Sequence, residues 1–249
     1  MSPPDRLIAA DLRAALGIGV VGRRIIVLES TGSTNDFLRR MLTPELPEGF
    51  VVFAEEQTAG RGQRGNRWAS APQLGLWFSI LLRPQIPLHE TARLTNWAAE
   101  AVAATVRSET GLEPAIKSPN DVYVGQRKVA GVLVETKARP GLAFDAIVGI
   151  GVNLNQALED FPIELQERAG SLAMALRQKI NRAGFAIALL RELERTREFA
   201  FHAARPPESA VIPSRADGEG PHDHRPRVRS KKKRELQLRG PSPRCADSG

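Results

Sequence analysis

Glu55-Glu56-Gln57-Thr58-Ala59-Gly60-Arg61-Gly62-Gln63-Arg64-Gly65-Asn66-Arg67-Trp68 sets three glycines beside three arginines within eight positions. Glycines let a backbone turn its N–H groups toward an anion without interference from a Cβ, and arginines present planar forks that match phosphate or carboxylate oxygens. No acidic residue occurs from Gln57 to His89, so the local charge is positive and unneutralised. The stretch reads as a nucleotide-phosphate loop, with a solvated basic loop as the alternative. Gly60-x-Gly62-x-x-Gly65 matches the dinucleotide-binding pattern by spelling, but that pattern needs a helix opening at the glycines and an acidic residue about 20 positions on. Neither is present, and no Gly-Lys-Ser/Thr closes the glycines as a P-loop requires.

Working outward, Phe50–Ala54 reads as a strand that delivers the chain into this loop, and Leu76–Leu82 as its antiparallel return. Structureless loops of that length inside a domain are functional lids or disordered. Upstream, residues 5–16 form one short helix, several times shorter than a winged-helix DNA-binding module, and Ile25–Leu28 a buried strand. Ser33 and Asp36 have capping-box spacing before the amphipathic Phe37–Leu42. The hydroxyls and amide of Ser33, Thr34 and Asn35 suit a small polar ligand equally, although spacing favours the cap.

Downstream, residues 88–110 carry Leu94, Trp97, Ala98, Ala101, Val102 and Thr105 along one helical side, a core-packing pattern in which the tryptophan is structural. Ala115–Val124, a turn at 125–128 and Val129–Thr136 read as strand, turn, strand. Pro119 keeps Ser118 out of the helical region, so Lys117, Asn120 and Asp121 gather where the first strand bends. Lys128 shares a face with Ala130, Val132 and Val134, which leaves it snorkelling at an edge or aimed at an anion. Leu142–Val152 is a further strand, whose end, Gly149-Ile150-Gly151-Val152-Asn153, allows close approach. Residues 161–169 and 185–199 read as helices.

The chain has 249 residues, 42% of them hydrophobic, enough for a sizeable core. No apolar run approaches the roughly 18 residues of a membrane span, and Met-Ser-Pro-Pro-Asp lacks the order of a signal peptide, so a cytoplasmic protein is expected. The single cysteine, Cys245, excludes an intrachain disulfide and a CxxC metal site. The net charge of +7 divides into +2 over residues 1–200 and +5 over 201–249, which removes most of the case for specific nucleic-acid binding by the body. Seven of the 18 prolines fall in 201–249, and that Pro/Arg-rich segment is expected to be disordered, with His222 and His224 merely solvated.

Ser33-Thr34-Asn35, Gln57 to Trp68, Lys117-Ser118-Pro119-Asn120-Asp121, Arg127-Lys128-Val129-Ala130-Gly131 and Gly151-Val152-Asn153 together resemble the biotin protein ligases, in the family's order over roughly residues 25–200. The resemblance is to the monofunctional type without an N-terminal DNA-binding domain. It implies an α+β fold, a mixed and largely antiparallel sheet with flanking helices, as residues 1–22 leading into a catalytic domain over 23–200. It implies formation of biotinyl-5'-AMP from biotin and ATP with Mg²⁺, then transfer to a lysine of the biotin carboxyl carrier protein of acetyl-CoA carboxylase, by a monomer or weak homodimer. Lys128 and Arg61 would be catalytic. Ser33, Thr34, Asn35, Gln57, Arg61, Gly62, Gln63 and Lys128 would meet biotin; Gly60, Arg64, Trp68, Lys117, Asn120 and Asn153 would meet ATP, and Asp121 the metal. Lipoate ligation on the same fold, or an impaired biotin-binding protein, are the alternatives. The family's Lys-Trp-Pro-Asn-Asp reads Lys-Ser-Pro-Asn-Asp here, Asn66 stands where an arginine is common, and the small SH3-like C-terminal domain is not recognisable in the tail.

Overall fold

Strands alternating apolar side chains with small or polar ones have two different faces, and here a single sheet uses them differently. The computed structural model describes residues 5–139 and 142–201. Its strands are β1 (Arg24–Thr31), β2 (Phe50–Gln57), β3 (Gly75–Leu82), β4 (Pro114–Lys117), β5 (Asp121–Val124), β6 (Arg127–Arg139) and β7 (Leu142–Asn153). They lie in the order β1-β2-β3-β7-β6-β5-β4. Only β1 and β2 run parallel; the other neighbours are antiparallel, so the expected mixed, largely antiparallel α+β sheet is what forms. Every described residue belongs to one compact unit.

One face is packed throughout. Leu76, Phe78, Ile80 and Leu82 of β3 and Val148, Ile150 and Val152 of β7 meet the buried sides of two long helices, α3 (Ala92–Thr110) and α5 (Arg182–Phe201). Each fully buried side chain of this size contributes about 1.5–3 kcal/mol. The amphipathic α3 ends where Gly111 adopts φ 69° and its N–H returns to Arg107 O. The opposite face is covered at one end only. There α2 (Thr34–Met41) and the loop after it bury Leu38 and Leu46 against Phe50, Val52, Leu81 and Ile147. Beyond this cluster the face carries glycines, and it stays open.

The N-terminal helix, α1 (Ala9–Leu16), is shorter than the expected 5–16, and Leu7 and Leu12 join the main core. A buried ion pair ties this region in. Arg182 Nη2 lies 2.6 Å from Glu55 Oε2, the Leu7 N–H donates to Glu55 Oε1, and Arg182 also donates to the carbonyls of Gly75 and Asp5.

Four elements differ from expectation. β1 is an edge strand with one neighbour, so only Ile25 on it is buried. Residues 115–124 are two strands rather than one bent strand, since β4 and β5 pair back to back with Lys117 opposite Asp121. The expected helix over 161–169 is reduced to a single turn at Ile163–Leu165 with local turn bonds up to Ala169, where the Lys128 backbone pairs with Arg168 O and the Gly170 N–H and ends any helical continuation. A short helix, α4 (Leu172–Leu176), follows, its N-terminus capped by Ser171 Oγ, which accepts from the Met174 N–H. The expected tail starts at residue 201, but Phe201 is the buried last residue of α5, and the rest of the expectation falls on 202–249, outside the described residues.

Candidate functional site

On the open face, β6 and β7 present Gly131, Gly149 and Gly151, with Gly131 directly opposite Gly151. These make a floor without side chains, and two side chains rest on it. A Cβ at Gly151 would stand 2.6 Å from the Trp68 indole and one at Gly131 2.9 Å from it. A Cβ at Gly149 would stand 2.3 Å from Asn35 Oδ1. No real Cβ tolerates such distances, so these glycines serve close approach rather than a turn.

Around Asn35 lies a compact polar cluster. Ser79 Oγ is 2.6 Å from Asn35 Oδ1 and 2.7 Å from Thr34 Oγ1. The Thr34 N–H donates to Gln57 Oε1 at 2.9 Å, and Gln57 Nε2 donates to Ser70 Oγ at 3.1 Å. Ser33 stands at the N-cap position of α2, but its side chain makes no capping bond, and Asp36 turns to Arg61; the expected capping box is absent. The Ser33 side chain lines a narrow cavity of about 50 Å³ together with Thr34, Asn35, Gln57, Gly62 and Gln63.

A second, larger cavity of about 660 Å³ lies beside it, walled by Asn66, Arg67, Asp121, Tyr123, Asn153 and the segment from Phe161 to Ala169. Gln57, Trp68 and Lys128 line both cavities and so form their junction. Lys128 Nζ lies 2.6 Å from Asp121 Oδ1 and 5.4 Å from the centre of the Trp68 ring. The expected companionship of Lys128 with Ala130, Val132 and Val134 is not found. Tyr123 pairs with Lys128 and Val122 with Ala130, so Val129 is an extra residue in the ladder. This bulge reverses the alternation, putting Lys128 with Gly131 and Leu133 at the narrow cavity and Ala130 and Val132 in the core.

The far wall is fastened to the same strand. The Lys128 N–H donates to Arg168 O at 2.8 Å, the Gly170 N–H donates to Lys128 O at 3.0 Å, and Arg127 Nη1 donates to the carbonyls of Gln166 and Ala169. Asn153 Nδ2 donates to Gly170 O at 2.9 Å, which fixes the end of the segment.

The basic loop is ordered as a small hairpin. Its base pairs with the loop after β1, where the Thr58 and Ala59 N–H groups donate to Thr31 O and Gly32 O. Farther out, the Trp68 N–H donates to Gly60 O and the Gly62 N–H to Asn66 O, while Arg64 takes φ 56°. Gly60 is buried, and a Cβ there would meet Trp68 O at 2.5 Å. Arg61 lines the narrow cavity, but its guanidinium faces carboxylates: Nη1 and Nη2 donate to the two Glu135 oxygens at 3.0 and 2.5 Å, and Nη2 lies 2.8 Å from Asp36 Oδ1.

The structure therefore gathers Ser33, Thr34, Asn35, Gln57, Arg61, Gly62, Gln63, Trp68, Asn120 and Lys128 at the narrow cavity, and Asp121 and Asn153 at the larger one. Gly60, Arg64 and Lys117 line neither. Arg64 is exposed, and Lys117 Nζ sits 3.8 Å from the centre of the Tyr123 ring. Sequence reasoning missed Ser79, Ser70 and Glu135. A serine within the otherwise apolar Leu76–Leu82 run was an available signal for the first. Among the described residues no three His, Cys, Asp or Glu side chains come together as a metal site. An Mg²⁺ ion carried in by nucleotide phosphates would meet two carboxylate residues in the lining of the larger cavity, Asp121 and Glu164.

Two joined cavities on one sheet face, one small and polar, one large, under a basic loop, leave room for a small ligand beside a larger anionic one. The family named Biotin/lipoate A/B protein ligase family matches residues 27–153, and the chain belongs to it. It is 37% identical over 204 residues to the bifunctional ligase/repressor BirA of Bacillus spizizenii, a match covering 82% of this chain and 63% of that protein. It is 35% identical over 184 residues to the biotin–[acetyl-CoA-carboxylase] ligase of Mycobacterium tuberculosis, covering 72% of this chain and 66% of that one. Among solved structures, the biotin protein ligase of Aquifex aeolicus in complex with biotin and ATP superposes with a TM-score of 0.61 at 29% identity, over 72% of each chain. The chain thus spans a little under two thirds of the length of the first two relatives.

Proposed function

We propose that the protein joins biotin to ATP as biotinyl-5'-AMP and passes the biotinyl group to a lysine of a biotin carboxyl carrier protein, that of acetyl-CoA carboxylase. The observation that carries this reading is Lys128 at the junction of the two cavities. An ammonium there lies between a carboxylate arriving through the narrow cavity and a phosphate arriving through the larger one. Attack of a carboxylate oxygen on the α-phosphorus expels pyrophosphate with the electron pair of the broken P–O bond. This needs no protein nucleophile; it needs two anions held together and the developing charge neutralised. Bound with the nucleotide, Mg²⁺ supplies further charge neutralisation. Then the neutral amine of the acceptor lysine attacks the acyl carbonyl, AMP leaves with the C–O electron pair, and the amine releases a proton to solvent. The loop and Trp68 keep water from the labile mixed anhydride meanwhile.

The polar end formed by Thr34, Asn35, Gln57 and Ser79 suits a cyclic urea. A lipoyl dithiolane offers no N–H or C=O to extend this hydrogen-bonded cluster, whereas each bond that a cyclic urea adds contributes about 0.5–1.5 kcal/mol. Among the described residues no helix is long and apolar enough to cross a membrane. A cytoplasmic enzyme, monomeric or weakly dimeric and without a specific nucleic-acid partner, completes the reading.

Exchange of labelled pyrophosphate into ATP tests it without the carrier. Exchange that requires biotin and ignores lipoate is expected. Exchange supported by lipoate alone would overturn the substrate, and none in a folded protein would leave only a binding role.

A further inference from the structure

Glu135 has no part in the chemistry described above, yet it is the most heavily contacted carboxylate near the cavities. Its partners come from two other elements. From the basic loop, Arg61 grips both of its oxygens, at 3.0 and 2.5 Å. From α2, Asn35 Nδ2 donates to Oε2 at 2.8 Å and Arg39 Nη2 lies 2.6 Å from Oε1. The carboxylate side chain is 17% exposed, so these bonds are shielded from solvent more than a surface pair is. Asp36 adds a second anchor for the same arginine at 2.8 Å.

We propose that Glu135 is the docking post of the loop, a positioning residue that through Arg61 keeps the hairpin lowered over the narrow cavity and thereby retains an activated intermediate inside. The retention half rests on the ligase reading; the docking half does not. Three observations support it together. The internal bonds of the hairpin, Gly62 to Asn66 and Gly60 to Trp68, stay within the loop; the backbone bonds at its base are those of Thr58 and Ala59 to the loop after β1, and the Trp68 indole rests on the glycine floor. Beyond that base, the polar contacts of the loop with the sheet and α2 run through Arg61 and a cation–π approach of Lys128 to Trp68. The post itself shares Asn35 with the polar end of the cavity, so the loop and the ligand floor meet on one carboxylate. With two carboxylates on its guanidinium, Arg61 is committed to holding the loop, whereas Lys128, with the single carboxylate of Asp121 beside it, stands at the junction of the two cavities.

Glu135→Gln removes the charge and one fork of the Arg61 pair but leaves an oxygen for Asn35. Limited trypsinolysis without ligands reads the loop directly, because Arg61, Arg64 and Arg67 are cleavage sites and cleavage follows the population of the open form. Cleavage within 61–67 about tenfold faster than in the parent is expected, the equivalent of losing about 1.4 kcal/mol of docking. Glu135→Asp should fall between, Glu29→Gln on β1 should match the parent, and cleavage elsewhere should be unchanged in all of them. Parent-like cleavage of the loop in Glu135→Gln, with the remaining fragments intact, overturns the docking. The second measurement is release of labelled biotinyl-5'-AMP into solution without carrier, expected to rise about as much. Faster cleavage with unchanged release overturns retention alone. Absence of any adenylate, with cleavage accelerated, overturns retention and the ligase reading and leaves the docking standing.

Discussion

At the scale of single residues, two kinds of group matter, one that supplies charge and others that supply nothing. Lys128 is the first kind. Replacing it with alanine should slow biotin-dependent pyrophosphate exchange on the order of 10²–10³-fold, the loss typical of removing one preorganised charge-stabilising donor. A parent rate in Lys128→Ala would remove it from the chemistry. The floor glycines are the second kind. Gly149→Ala puts a methyl 2.3 Å from Asn35 Oδ1, so the amide must move off its polar partners. Biotin binding by calorimetry should weaken by about 1–3 kcal/mol, the usual cost of overpacking a tight site. Lys128 and the arginine loop were legible because charged residues inside an apolar or glycine-rich stretch have few structural reasons to be there. Glu135 was not, since a glutamate closing an apolar alternation looks like any solvated strand end, and only the fold brings Arg61 to it from 74 positions away.

At the scale of elements, the strands, α3 and α5 follow from periodicity, and two of the failures come from contacts that periodicity does not record. Residues 161–169 have a helical composition, yet they lie as a strap fastened by Arg127 and by the backbone of Lys128. The bulge at Val129 likewise cannot be seen from side-chain type, and it decides which way Lys128 points. The strap yields a prediction of its own. Arg127→Ala removes donors to two carbonyls at the wall of the larger cavity, and hydrogen bonds from a charged group contribute about 1.5–3 kcal/mol each. The apparent affinity for ATP should fall about tenfold or more, while biotin affinity changes little; an equal loss for both ligands would show that the strap does not belong to one cavity.

At the scale of the whole molecule, the element that binds distant parts is the Glu55–Arg182 pair. It joins the base of the basic loop to α5, to β3 through Gly75 O and to the N-terminal segment through Leu7 and Asp5. Removing one partner leaves a charge buried alone, so Arg182→Met should lower unfolding stability in urea by about 3–5 kcal/mol. The double replacement Glu55→Gln with Arg182→Met should cost less than the sum of the two single ones. Additive losses would mean that the charges do not act as a pair. No local reading of the sequence reaches this contact, whose partners are 127 residues apart and look, singly, like surface charges.

The chain has three tryptophans, and their positions divide the labour of observation. Trp97 is pinned in the helical layer by its bond to Thr196, and Trp77 is buried in β3. Trp68 alone rides on the loop, with its ring centre 6.2 Å from that of Trp77 and its indole N–H buried without a hydrogen-bond acceptor. Lifting the loop would hydrate that N–H and separate the two rings. The protein therefore carries its own optical reporter, and the emission colour of one indole records, without any label and in real time, whether the cavity is covered.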